Sequence, residues 1–246
     1  MKNFTSLIKE TFHIYKLKLK PILLLVLLNI IVATIVMLLA YGSMFSILML
    51  MGQVYSRTII IKIIFLCLFL FFPFLLLLCF LYFFTATLLL VMKPIGTPLK
   101  EIFKETWRNY WNCLIVGALT LIFTFLGFSL LIIPGIIISI FLSFSLYVCL
   151  DEKRKGMDAI KRSWNLVKGS WWQIFGRILL LSILMNLVFL GINKINQDVL
   201  SLYLFISVLS LSLPFYFIYM NLIYLDLKKS KEIQTAVPSI KEKVSI

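Results

Sequence analysis

Ser129-Leu130-Leu131-Ile132-Ile133-Pro134-Gly135-Ile136 lies inside the longest uncharged stretch of the sequence, the 42 residues between Arg108 and Asp151. A helix needs roughly 20 apolar residues to cross about 30 Å of hydrocarbon. This stretch therefore has room for two crossings, and the Pro134-Gly135 pair reads as the turn between them. The decision fixes the parity of everything around it. With one crossing here, the basic segments 93–112 and 151–171 would face opposite sides; with two, they share a side.

Four more uncharged intervals flank this one. Lys20 and Arg57 bracket 36 residues, Lys62 and Lys93 bracket 30, Arg177 and Lys194 bracket 16, and Asp198 and Asp226 bracket 27. Each holds one crossing, the interval after Arg177 being extended backwards through Trp171 to Gly176. Six helices follow, at about 22–47, 64–92, 113–132, 135–150, 172–192 and 200–225. The run from Pro21 to Ala40 exceeds the 7–15 apolar residues of a signal-peptide core, so it is expected to remain as the first crossing.

Composition agrees with this reading. The 246 residues are 62% apolar and 14% charged, with mean hydropathy +1.05, against about 45–50% and about 25% in soluble domains. A soluble enzyme domain, a disordered chain and a disulfide scaffold are excluded. An all-α, polytopic membrane bundle remains.

Orientation follows from the cations. Of 24 Lys and Arg, twenty fall in the N-terminus, segment 93–112, segment 151–171 and the tail after Asp226. Arg57, Lys62 and Lys194 fall on the other face. The expected protein is a multi-pass protein of the bacterial inner membrane, with both termini cytoplasmic. The +14 charge flanks the crossings, which points to the anionic inner leaflet and not to nucleic acid.

A short pattern recurs three times. Lys9-Glu10-Thr11-Phe12 reappears as Lys104-Glu105-Thr106-Trp107 and, more weakly, as Lys161-Arg162-Ser163-Trp164. Met157, Ile160, Trp164, Val167 and Trp171 step by three and four, which places them on one helical face. Each copy heads two crossings. The chain thus divides into repeats at about 1–92, 93–150 and 151–226, each an amphipathic helix plus a transmembrane hairpin, before a polar tail, 227–246, expected to be flexible.

Such helices either cap the bundle through interfacial aromatics or lie among lipid headgroups. The anchors would be Trp107, Trp164, Trp171 and Trp172. The headgroup candidates are Lys161, Arg162, Lys168 and Arg177, the last because a guanidinium fork matches phosphate. Pro134, Gly135 and Gly169 are expected to be structural.

Residues 129–136, followed by Asp158-Ala159-Ile160-Lys161-Arg162-Ser163-Trp164 and by Lys168-Gly169-Ser170-Trp171-Trp172, resemble the membrane domain attached to some bacterial glycerophosphoryl diester phosphodiesterases and related uncharacterised membrane proteins. The resemblance implies a six-helix bacterial membrane domain. It does not imply the activity, because that family's catalytic part is a separate barrel, a fold of about 250 residues, using two histidines and metal-binding carboxylates. The only histidine here is His13.

Chemistry elsewhere is sparse. No carboxylate lies deep in a crossing, as proton-coupled transport or intramembrane proteolysis would require. Lys62 is expected to snorkel. Pro73 and Pro214 should bend their helices, and Asn29 and Asn186 suit interhelical hydrogen bonds. Cys67, Cys79, Cys113 and Cys149 read as small hydrophobes. No metal or cofactor motif is present. The expectation is a non-enzymatic protein that binds lipids or assists lipid or small-molecule handling. The alternatives are an accessory or immunity-type subunit acting through a membrane-protein partner and, more weakly, an uncoupled channel or transporter.

Overall fold

The computed structural model describes residues 3–53, 59–193 and 199–244. Side chains are described for fewer of them: Arg57, Lys194 and Asp198, and the side chains of Lys62, Cys67 and Pro73, lie outside. Among the described residues every regular element is a helix. In order they are α1 (Phe4–Leu17), α2 (Leu19–Gln53), α3 (Ile59–Met92), α4 (Leu99–Leu130), α5 (Ile132–Leu142), α6 (Ser145–Asp151), α7 (Gly156–Val167), α8 (Trp171–Asn193) and α9 (Val199–Val244). Two of these units are long and apolar enough to cross a membrane among the described residues: Leu99–Leu130 and Ile132–Asp151.

Those two are the arms of the hairpin expected between Arg108 and Asp151, but the turn falls elsewhere. It is made by Leu131 alone, in extended conformation (φ −165°, ψ 159°), which ends α4 and caps α5. Pro134 sits inside the first turn of α5, where a backbone N–H has no helical partner and its absence costs nothing. Gly135 is helical, its N–H bonded to the Leu131 carbonyl at 3.2 Å. Its role is contact: a Cβ at Gly135 would lie 2.5 Å from Cγ of Phe128, and one at Gly127 would lie 3.1 Å from Cα of Gly135. Small residues let the arms touch.

Other boundaries also differ from the expected ones. The second amphipathic segment is not a separate helix, because Leu99 to Leu130 is continuous; no Pro follows Tyr110 within it, and an isolated Gly such as Gly117 is tolerated inside a helix. The return arm is divided at Ser143–Phe144, where the Ser143 and Ser145 hydroxyls donate to the Ile140 and Leu142 carbonyls at 2.8 Å. Such local side-chain bonds compete with the helical ladder. At the other end, α9 continues past Asp226, so residues 227–244 extend a helix.

Between α7 and α8 the chain bends by 94°. Gly169, at φ +92°, supplies the left-handed residue there, a conformation open to glycine without a Cβ penalty. The core joins Leu7 and Ile102 with Val148, Leu166, Ile174, Leu181 and Tyr219, all 0–1% exposed, and so knits α1, α4 and α6–α9 together.

Candidate functional site

The three copies of the Lys-x-(Thr/Ser)-aromatic pattern sit on α1, on the first turns of α4 and on α7. Their side chains are placed alike. Thr11, Thr106 and Ser163 are all 0% exposed, and so, within 1%, are Leu7, Ile102 and Ala159 four residues before them. The pair i, i+4 shares a helical face, so each copy turns that face inward. Thr11 Oγ1 donates to the Leu7 carbonyl at 2.7 Å, and Ser163 Oγ reaches across to the Phe141 carbonyl at 2.7 Å. On the other face Lys9, Lys104 and Lys161 are exposed. Three residues on, so are Phe12, Trp107 and Trp164, at 63%, 71% and 40%.

The candidates named from the sequence divide into two groups. Lys161 and Lys168 are exposed, and the backbone carbonyl of Lys168 accepts from Lys231 Nζ at 3.0 Å. Arg162 instead turns to Glu152, its Nε 3.1 Å from each carboxylate oxygen. Arg177 also faces protein, with Nη1 3.8 Å from Asp226 Oδ2 on α9 and its carbonyl accepting from the Tyr219 hydroxyl at 3.3 Å. Among the aromatics, Trp107 and Trp172 are open. Trp164 stacks on Phe141 with centroids 4.0 Å apart, and Trp171 stacks on Phe175 at 5.2 Å.

Two further groups tie this end together. Lys18, one of the N-terminal cations, is buried between α1 and α2. Its ammonium donates to the carbonyls of Leu90 (2.9 Å), Val91 (2.8 Å) and Lys93, at the end of α3. The last carbonyls of a helix lack backbone donors and carry the negative end of its dipole, so a lysine there acts as a cap. Burial pulls its pKa down to about 8. Asp151 and Glu152 close α6: Asp151 takes hydrogen bonds from the Tyr224 hydroxyl (2.8 Å) and Lys228 Nζ (2.6 Å) on α9, while Glu152 holds Arg154 and Arg162. Lys93 pairs with Glu105 at 2.7 Å.

Sequence reasoning counted Lys18 only as one more surface charge. No periodicity marks it, because its partners are backbone carbonyls more than 70 residues away. Asp151 and Glu152 carried a weak signal, as adjacent acids in the most basic segment.

The contacts of Lys18 join the N-terminal basic segment to the start of segment 93–112, and those of Asp151 and Lys168 join segment 151–171 to Lys228 and Lys231 on α9. Toward the middle, α2, α3 and α9 enclose an open cleft lined by Leu25, Asn29, Phe84, Thr87 and Pro214. Among the described residues no three His, Cys, Asp or Glu side chains gather as a metal site would need.

Comparison with known proteins supports the membrane class and, of the family resemblance, only the part that points to uncharacterised bacterial membrane proteins. The chain is similar to UPF0259 membrane proteins from two strains of Buchnera aphidicola subsp. Acyrthosiphon pisum, 5A and APS. Each is 28% identical over 142 residues, 53% of this chain and 54% of the relative. The chain thus spans about half the length of the curated relatives it matches. No family model and no solved structure matches it, and these relatives give no support to the phosphodiesterase membrane-domain part of the resemblance. The chain is a helical membrane protein similar to an uncharacterised bacterial membrane-protein family.

Proposed function

We propose that this chain is a non-enzymatic protein of the bacterial inner membrane, with six crossings in three repeats and both termini cytoplasmic. In this reading it binds anionic phospholipid headgroups through the outer faces of α1, the start of α4 and α7. The observation that carries the reading is the shared register of the three copies: hydroxyl buried, lysine and aromatic exposed. A lysine near an anionic leaflet contributes about 1 kcal/mol, and an aromatic ring beside it suits the water–hydrocarbon boundary. Arg162 and Arg177 serve this function indirectly, by fixing α7 and α8 through Glu152 and Asp226.

Native mass spectrometry of protein from nanodiscs of mixed phosphatidylglycerol and phosphatidylcholine tests the reading. Retained phosphatidylglycerol is expected to exceed its share of the disc. Combined Lys9→Gln, Lys104→Gln and Lys161→Gln substitution should remove the excess. Retention by wild type in proportion to the disc composition would defeat the proposal. A stoichiometric protein mass co-purifying in place of lipid would favour the accessory-subunit reading.

A further inference from the structure

Cys113 and Cys149 lie on different helices, α4 and α6, yet their Sγ atoms are 3.9 Å apart. Both are buried, at 4% and 3% exposure, and both carry free thiols. The packing around them is apolar and tight, with Val116 and Val148 at 0%. Neither thiol has a part in the lipid reading above.

Two chemistries suit facing thiols: a soft metal ion and a disulfide. Metal binding requires thiolates, and two thiolates on a monovalent ion leave net charge in an apolar core, which is costly. A disulfide is neutral and suits the site. It needs the sulfurs to close to about 2.05 Å, a movement of roughly an ångström by each. The position gives the movement a consequence. Cys149 precedes by two and three residues the carboxylates of Asp151 and Glu152, which hold α9 and α7.

We propose that Cys113 and Cys149 form a reversible redox pair, closed by a peroxide-class oxidant, that clamps α6 to α4 and shifts the grip of Asp151 and Glu152 on α9 and α7. In the first step one sulfur attacks a peroxide oxygen as its own proton passes to the departing oxygen, so that no lasting thiolate charge forms in the core. The O–O bond breaks, a sulfenic acid forms, and the departing oxygen leaves as water. The second sulfur then displaces the sulfenic oxygen, which leaves as a second water. Two thiols and one hydrogen peroxide give one disulfide and two waters, the sulfurs losing two electrons and the peroxide gaining them. A dithiol reductant reverses the reaction by exchange. Hydrogen peroxide is small and uncharged, as entry into this core demands.

The test uses the full chain in nanodiscs treated with hydrogen peroxide. Intact mass should fall by two hydrogens, a non-reducing peptide map should contain linked Cys113 and Cys149 peptides, and dithiothreitol should reverse both. Cys79→Ser should still link, and Cys113→Ser should not. Hydrogen exchange in α7 should change on oxidation of wild type and stay constant in Cys113→Ser. If the serine variant fails to fold, the wild-type map and the wild-type exchange in α7, before and after oxidation, decide the matter together. An unlinked map, or linkage through Cys79, from protein that does cross-link Cys113 to Cys149 once denatured, would overturn the proposal. So would a linked map with unchanged exchange in α7.

Discussion

The ammonium of Lys18 donates to the Leu90 carbonyl at 2.9 Å, joining the junction of α1 and α2 to the last turn of α3. Replacing it by methionine leaves the Leu90, Val91 and Lys93 carbonyls without this donor, a loss of about 1–3 kcal/mol. Lys18→Arg, which keeps donors, should lose less. A pH dependence follows as well. With its pKa lowered from 10.5 to about 8, the folded chain releases this proton before the unfolded chain does. Between about pH 8 and 10.5 the unfolded state binds more protons, so this group makes stability rise with pH. Thermal denaturation in detergent across that range should lose the rising component in Lys18→Met; an identical profile would refute the assignment.

Gly135 meets the Phe128 ring so closely that a methyl group has no room. Gly135→Ala should lower stability by about 1–3 kcal/mol, as overpacking does. Adding Phe128→Ala should recover much of that loss, because the two residues share one space and their effects are not additive. Melting temperatures of the two single variants and the double variant check this. Simple additivity would show that the hairpin arms do not meet there.

Glu152 and Arg162 form the tie between α6 and α7, with side chains 12% and 26% exposed. A double-mutant cycle of Glu152→Gln and Arg162→Gln should give a coupling of about 1 kcal/mol, above the few tenths of an open surface pair. Glu152→Gln should also speed hydrogen exchange in α7. A coupling near zero would make Arg162 a free headgroup ligand after all.

The proposed six-crossing arrangement would place the loop after α6 in the cytoplasm. A reporter fused after Lys155 should be active only in its cytoplasmic form, and one fused after Lys194 only in its external form. A cytoplasmic signal from both positions, or an external one from the first, rules out the proposed parity.

The sequence by itself determined that the chain is helical, that it belongs in a membrane, and that the stretch from Arg108 to Asp151 doubles back. The physical reason is the cost of charge in hydrocarbon, which leaves uncharged runs whose lengths can be compared with a bilayer. It also marked Thr11, Thr106 and Ser163 as equivalent positions, since helical periodicity sorts inward from outward residues before any partner is known. Periodicity does not say which helix lies opposite. That Leu131 makes the turn, that Lys18 caps α3, that Arg162 and Arg177 face Glu152 and Asp226, and that Cys113 meets Cys149 were decided by tertiary structure. Each depends on a contact with a specific partner, across at least 10 residues of chain in all but the turn. A lone cation reads the same in sequence whether it ends on a carbonyl, a carboxylate or a lipid phosphate.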